Sequence, residues 1–241
     1  MTERRVLGAI YTDDDDLDDD LRAFLPDSVR LLTERTVCLP PEDPLDWLAK
    51  TAVDPANERA AERLALDRPG AVAYVVNGVS VIRGPAGAVD ISRRLSRAAG
   101  GVPAVTTSEA MVEAVQALGL HRIGVAVPYG PPVTDIIRDF FASAGIRVAR
   151  MHGLDLPNAN NWEALRLPDE AVIRMVTGSD SPETEGVYLG CTSLRTGHLM
   201  AALEGAIGKP VVTANGSTMW RALRLMGVTD RPDHLGRLFK V

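Results

Sequence analysis

Apolar positions along the chain come in two rhythms. Short runs rich in valine, isoleucine, leucine and tyrosine alternate with longer stretches in which apolar residues recur every three or four positions. A strand buried on both faces of a parallel sheet produces the first rhythm, and an amphipathic helix produces the second. The runs predict strands over 5–11, 30–37, 71–77, 102–106, 122–127, 146–151, 185–190 and 209–213. The periodic stretches predict helices over 17–25, 57–67, 86–99, 108–118, 131–144, 168–178, 195–207 and 217–226. Strands alternating with helices specify βαβ units, hence an α/β fold with parallel sheets covered on both faces.

The pattern repeats. RRVLGAIY near the start is echoed by HRIGVAVPY at 121–129, VAYVVNGVS (72–80) by GVYLGCTSL (186–194), and VPAVTTSEAMVEAVQALG (102–119) by KPVVTANGSTMWRALRLMG (209–227). Three echoes in the same order indicate a duplicated half. The expected architecture is two pseudo-symmetric Rossmann-like (flavodoxin-like) lobes with parallel sheets and an active-site cleft between them. The first lobe spans 1–118 with a returning C-terminal segment, 214–241, and the second spans 119–213. Ligands of open parallel sheets sit beyond the carboxyl ends of the strands. Attention therefore falls on Thr12–Asp16, Val76–Ser80, Pro128–Tyr129, Gly190–Ser193 and Ala214–Asn215.

Composition narrows the possibilities. The chain has 241 residues with 32 acids, 26 Lys and Arg, and a net charge of −6. Seven of the acids lie in one run, Asp13–Asp16 and Asp18–Asp20, so the remainder (25 acids against 26 bases) is near neutral. No basic patch with interleaved aromatics points to nucleic acid. No apolar stretch approaches the roughly 18 residues of a membrane span, and the N-terminus lacks the apolar core of a signal peptide. A cytoplasmic protein is expected, with no membrane partner. The two cysteines, Cys38 and Cys191, form no disulfide framework, and no CxxC or HExxH motif predicts a metal site. Four successive aspartates lack the ligand spacing of a calcium loop.

Cys191 follows the predicted strand 185–190 and precedes Thr192 and Ser193, which are expected to cap the next helix. A helix N-terminus there offers an anion site and a field that favours thiolate. A thiol beside such a site suits proton transfer at carbon next to a carboxylate. Cys38 lies late in another predicted strand and reads as structural. His121, His152, His198 and His234 do not fall at strand ends beside a carboxylate, and read as surface or core residues. Asn215, after the last strand, is placed at the cleft rim or at the return crossing.

GCTSLRT (190–196) and KPVVTANGSTMW (209–220), with VPY at 127–129, resemble the aspartate/glutamate racemase superfamily. The branch they resemble holds maleate cis–trans isomerase and arylmalonate decarboxylase. The resemblance spans essentially the whole chain and implies the same two-lobed fold, with no cofactor and no metal. Typical members place one cysteine on each lobe, facing each other across the substrate. Cys191 matches the second-lobe cysteine. The first-lobe loop, Val76-Asn77-Gly78-Val79-Ser80, anchored by Arg83-Gly84, carries valine where the other cysteine is expected. The resemblance makes Tyr129 a hydrogen-bond donor to a substrate carboxylate. Thr192, Asn77 and Ser80 are further donors, and Gly78 allows close approach. It aligns Asp15 with an asparagine that helps bind a carboxylate. An ionised aspartate there would repel the substrate unless it points away, is protonated or meets an amine or hydroxyl, and Asp14 shares that rim.

One thiol can serve one face of a planar carbon. This favours decarboxylation followed by protonation, as in arylmalonate decarboxylase, with Cys191 as proton donor and Val76, Val79, Val81 and Ile82 as an apolar wall. Two other readings stay open. One is a maleate-isomerase- or racemase-like enzyme whose second base is Asp14 or Asp15. The other is a non-catalytic binder of a small metabolite. The expected partner is a small carboxylic acid, and assembly into a homo-oligomer is left open.

Overall fold

The computed structural model describes residues 4–13, 16–37, 44–154 and 164–241. Cys38, Asp14 and Asp15 lie outside the described residues. Eight strands are present: β1 (Arg5–Thr12), β2 (Val29–Thr36), β3 (Ala71–Tyr74), β4 (Ala104–Thr106), β5 (Arg122–Val127), β6 (Arg147–Gly153), β7 (Gly186–Leu189) and β8 (Val211–Thr213). They form two parallel four-stranded sheets, ordered β2-β1-β3-β4 and β6-β5-β7-β8. The second order is the first repeated, as a duplicated half requires.

The alternating pattern has a direct physical cause. Leu7, Ala9, Ile10 and Tyr11 of β1 and every residue of β3 and β7 are buried, because helices cover both faces of each sheet. Complete burial of a side chain the size of Leu or Ile contributes about 1.5–3 kcal/mol. At the carboxyl ends of the outer strands β4 and β8, threonines start the next helices. Thr106 Oγ1 accepts from Glu109 N at 3.2 Å, and Glu109 reaches back to Thr106 N at 3.0 Å, closing a capping box. Thr213 Oγ1 accepts from Gly216 N at 3.1 Å. The helix Ala214–Leu225 then packs on the helix Thr107–Ala117 and on β3 and β4 of the first sheet. Thr218 Oγ1 donates to Thr107 Oγ1 at 3.0 Å.

The register corrects the repeat read from the sequence. Overlaying 72–80 on 186–194 puts Tyr74 on Tyr188 and Asn77 on Cys191. In the sheets, Tyr74 pairs with Thr106, and Leu189 pairs with Thr213. Val75 N donates to Ile10 O, and Gly190 N donates to Ala126 O. The equivalent residues are therefore Tyr74 and Leu189, Val75 and Gly190, and Val76 and Cys191. The tyrosines align by resemblance, but the hydrogen-bond ladders displace them by one position.

Two helices lie outside those predicted. Pro44–Ala52 is helical where no helix was predicted, and Asn77–Val81 is helical where the predicted strand 71–77 was followed by a loop. The latter is valine-rich and reads as strand locally; its helical turn is fixed by packing. Among the described residues no helix is long and apolar enough to cross a membrane.

Candidate active site

β7 delivers Cys191 to the end of the second sheet. Gly190 N makes the last ladder bond, to Ala126 O at 2.8 Å, and the chain then turns. Gly190 is there because neighbours crowd it. A Cβ at this position would lie 2.9 Å from Tyr188 Cε1, 2.9 Å from Val127 Cγ1 and 3.4 Å from the Asn77 amide nitrogen. Asn77 follows β3 of the first sheet, so this close approach joins the two lobes. Cys191 itself has φ of 111°, one of two described non-glycine residues at positive φ, and is 2% exposed. Backbone held in such a region costs on the order of 1–3 kcal/mol and persists where the surroundings fix it.

The surroundings are a buried polar network. Leu194 N donates to Cys191 O at 3.3 Å, closing a turn. Asn215 Nδ2 donates to Thr192 O at 2.8 Å and to Leu194 O at 3.4 Å, gripping that turn from outside. The same nitrogen donates to Asp20 Oδ2 at 2.7 Å. The other Asp20 oxygen accepts from Thr196 N at 2.7 Å and Gly197 N at 2.8 Å. Burial pushes the Asp20 carboxyl above its ordinary value, against the opposing pull of these three donors.

This arrangement replaces the helix cap expected at Thr192 and Ser193. Residues 192–194 form a turn, a single 3₁₀ turn covers Gly197–Leu199, and the helix begins only at Met200. The regular helix after Cys191 begins only nine residues on, so the dipole expected from a helix starting at Thr192 and Ser193 is not delivered by that segment. Thr192 and Ser193 are both buried in the turn.

On the facing side, β3 continues through Val75 and Val76 into the helix Asn77–Val81, with Val76 extended at its N-cap. Val76 is nearly buried and carries no acid–base chemistry. Asn77 is 1% exposed, and neither polar atom of its amide has a hydrogen-bond partner among the described residues. The Tyr188 hydroxyl, wholly buried, is also without one. Burial pushes its pKa far up; the nearby Cys191 adds to that, and the Asn77 amide works against it without reaching ordinary hydrogen-bond geometry. An unsatisfied buried polar group costs about 1–3 kcal/mol, so two beside one thiol call for a ligand or a catalytic reason.

The remaining predicted residues take other places. Ser80 Oγ lies 2.5 Å from Ser108 Oγ and donates to Asn77 O at 3.1 Å. Its hydroxyl thus ties the short helix to the helix Thr107–Ala117 and is not a spare donor, contrary to expectation. Gly78 is approached by Leu48 of the unpredicted helix Pro44–Ala52; a Cβ there would sit 3.0 Å from Leu48 Cδ2. Val79 and Val81 are core residues, and Ile82 packs against the core. Tyr129 is buried just beyond β5. His198 is exposed and pairs with Asp169 at 3.1 Å.

The acidic run is not one solvated patch. Asp16 pairs with Arg35, and Asp18 accepts from the Tyr11 hydroxyl at 2.6 Å and from Arg22 at 2.9 Å. Burial and the Asp18 hydrogen bond push Tyr11 up to about 12. Asp20 turns inward instead. Asp18 and Asp20 open the helix Asp18–Ala23, whose N-cap, Leu17, offers no side-chain cap. Among the described residues no group of three or more His, Cys, Asp or Glu is placed to hold a metal ion.

The family model for arylmalonate decarboxylase matches residues 50–239. The chain belongs to the arylmalonate decarboxylase family. It is 28% identical over 184 residues to the arylmalonate decarboxylase of Bordetella bronchiseptica, covering 74% of this chain and 75% of that one. The maleate isomerase Iso of Pseudomonas putida S16 superposes with a TM-score of 0.87 at 19% identity, over 98% of each chain. The maleate cis–trans isomerase of Nocardia farcinica, solved as a cysteine-to-serine mutant with a covalently bound succinylcysteine intermediate, superposes with a TM-score of 0.84 at 19% identity, over 98% of each chain. The resemblance read from GCTSLRT and KPVVTANGSTMW is thereby borne out, as is the two-lobed fold.

Within this family site, sequence reasoning missed Asp20, Tyr188 and the grip of Asn215. Tyr188 carried a signal. Strand alternation puts residues 188 and 190 on one face, so a tyrosine two places before a glycine lays its ring over that glycine toward the strand end. Asp20 carried none, since its partners lie more than 170 residues away in sequence.

Proposed function

We propose that the protein is a decarboxylase of a small malonate-type acid in which Cys191 delivers a single proton to one face of the substrate carbon. The observation that carries this reading is the inequality of two equivalent positions, Cys191 at the end of β7 and Val76 at the end of β3. An isopropyl group is neither acid nor nucleophile, so a two-base racemisation lacks one base, and covalent addition at that position lacks its nucleophile.

In the proposed reaction the bond between the α-carbon and one carboxylate breaks heterolytically. Carbon dioxide leaves, and the electron pair stays on the α-carbon and the remaining carboxylate as an enediolate. The Asn77 amide and the Tyr129 hydroxyl donate to its oxygens, with the turn at Thr192 closing the anion site. Such donors lower the barrier where charge develops. The Cys191 S–H bond then breaks, its proton forms the new C–H bond, and the thiolate recovers a proton from water. Val76 gives the departing carboxylate an apolar wall, which favours loss of charge there. The lobes that meet at this cleft are assigned as 1–118 with 214–241, and 119–213.

The test is incubation with phenylmalonate, methylphenylmalonate, maleate and aspartate in deuterated water, followed by proton NMR. Loss of carbon dioxide from an arylmalonate, with one deuterium in the product, is expected, and Cys191→Ala should lose turnover by about 10²–10⁴-fold. Conversion of maleate to fumarate without decarboxylation would favour an isomerase. Binding without turnover of any of the four would favour the non-catalytic reading.

A further inference from the structure

Cys191 sits in a backbone conformation that does not hold itself. Among the described contacts, the Thr192 and Leu194 carbonyls are both bound by one nitrogen, Asn215 Nδ2. That nitrogen is oriented in turn by Asp20. If the amide were reversed, its oxygen would face the carboxylate and two carbonyls, three acceptors against one acceptor, so the donor orientation is enforced. Asp20 is buried, and its carboxylate receives three donors at 2.7–2.8 Å, two of them backbone N–H groups of the second lobe. Among the described residues no cation forms an ion pair with it. Its charge is offset by the donors, and removing it would strand all three in a buried place. Gly197 completes the fit. A Cβ there would come within 2.6 Å of Ala23 Cβ and 3.4 Å of Asp20 Oδ1, so the close approach of the first-lobe helix requires glycine.

We infer that Asp20 and Asn215 are positioning residues that clamp the Cys191–Leu194 turn from the first lobe, and so set the face from which the thiol reaches the substrate carbon. The inference rests on Cys191 being the proton donor. It adds that the proton's direction is set by a residue roughly 170 positions earlier in the chain. Thiol placement and closure of the two lobes are then one event. A sulfur displaced by about 1 Å can lose on the order of 100-fold in rate while substrate binding is little changed.

Asp20→Asn keeps the shape but turns one accepting atom into a donor, and Asn215→Ala removes the grip on the turn while leaving the carboxylate its backbone partners. Alkylation of Cys191 by iodoacetamide, followed by mass spectrometry of its peptide, reads the turn without any substrate. It should accelerate at least about fivefold in both variants as the clamp opens. With phenylmalonate, kcat should fall about 10–100-fold and KM move less than about threefold. The enantiomeric purity of product from methylphenylmalonate should also drop, which a loss of stability alone would not cause. Alkylation and kcat within twofold of the parent in both variants, with Cys191→Ala inactive, would overturn the clamp and leave the proton-donor reading standing. An active Cys191→Ala would overturn that reading itself. If Asp20→Asn does not fold, Asn215→Ala decides by the same two measures.

Discussion

The two lobes have the same strand order, and β3 and β7 sit in the same register on their neighbours, yet the chain paths part company two residues beyond these strands. In the first lobe the chain passes Val76 and winds directly into the helix Asn77–Val81, which Ser80 bolts to Ser108. In the second it passes Cys191 at positive φ, makes an open turn, and reaches regular helix only at Met200. One side is a hydrophobic wall bearing an amide, that of Asn77, with no hydrogen-bond partner among the described residues. The other is a strained turn bearing a thiol and clamped from across the cleft. Duplication supplies a cleft with two equivalent positions, and divergence at those positions decides whether the cleft works from both faces or from one.

The strongest way to break this comparison is to restore the missing symmetry. Val76→Cys places a second thiol at the position equivalent to Cys191, at a packing cost of about 1 kcal/mol. The variant should acquire exchange of the product α-hydrogen from the opposite face and yield racemic product, seen as deuterium wash-in and loss of optical rotation. Unchanged stereochemical purity would mean that position 76 does not face the substrate.

A smaller effect is expected from the wall's one polar group. Asn77→Ala removes a buried amide that has no partner among the described residues, so stability in urea should hold or rise. The KM for phenylmalonate should nevertheless rise about 10- to 150-fold, as one lost hydrogen bond to a charged group is worth roughly 1.5–3 kcal/mol. A variant that is both less stable and unchanged in KM would make Asn77 a packing residue.

The capping threonines of the two lobes sharpen the comparison further. Thr106→Ala and Thr213→Ala should each cost about 1 kcal/mol in urea unfolding, and Thr106 the more because it is part of a box with Glu109. The smallest effect lies at Asp180, beside Lys209 at 2.7 Å in the second lobe. Partial burial raises its pKa, but hydrogen bonds from Lys209 and Thr184 outweigh that and hold it below 3.8. A depressed carboxyl contributes stability above the unfolded value and loses it as the pH falls through the folded one. Asp180→Asn should thus cost under about 1 kcal/mol at pH 7, and the difference from the parent should vanish in acid below 3.8.

Much of this was legible in the sequence, because the strands of parallel sheets are buried on both faces and leave continuous apolar runs. All eight strands and the duplication were readable on that ground, and so was Cys191, which a strand followed by small hydroxyl residues places at a sheet end. Three features were not. The offset of one residue between the halves was hidden by Tyr74 and Tyr188, which align by resemblance while the ladder pairs Tyr74 with the level of Leu189. The short helix after Val76 carries valines that read locally as strand. The inward turn of Asp20 was invisible in a run of seven acids, because its partners at 196, 197 and 215 are joined to it only by folding.

The central claim, that one sulfur protonates one face, is tested most directly by turning over methylphenylmalonate in deuterated water and reading deuterium content and configuration together. The account predicts one deuterium at the α-carbon, a single enantiomer, and no turnover once Cys191 is alanine. Racemic product from the unaltered protein, or full turnover by Cys191→Ala, would contradict it.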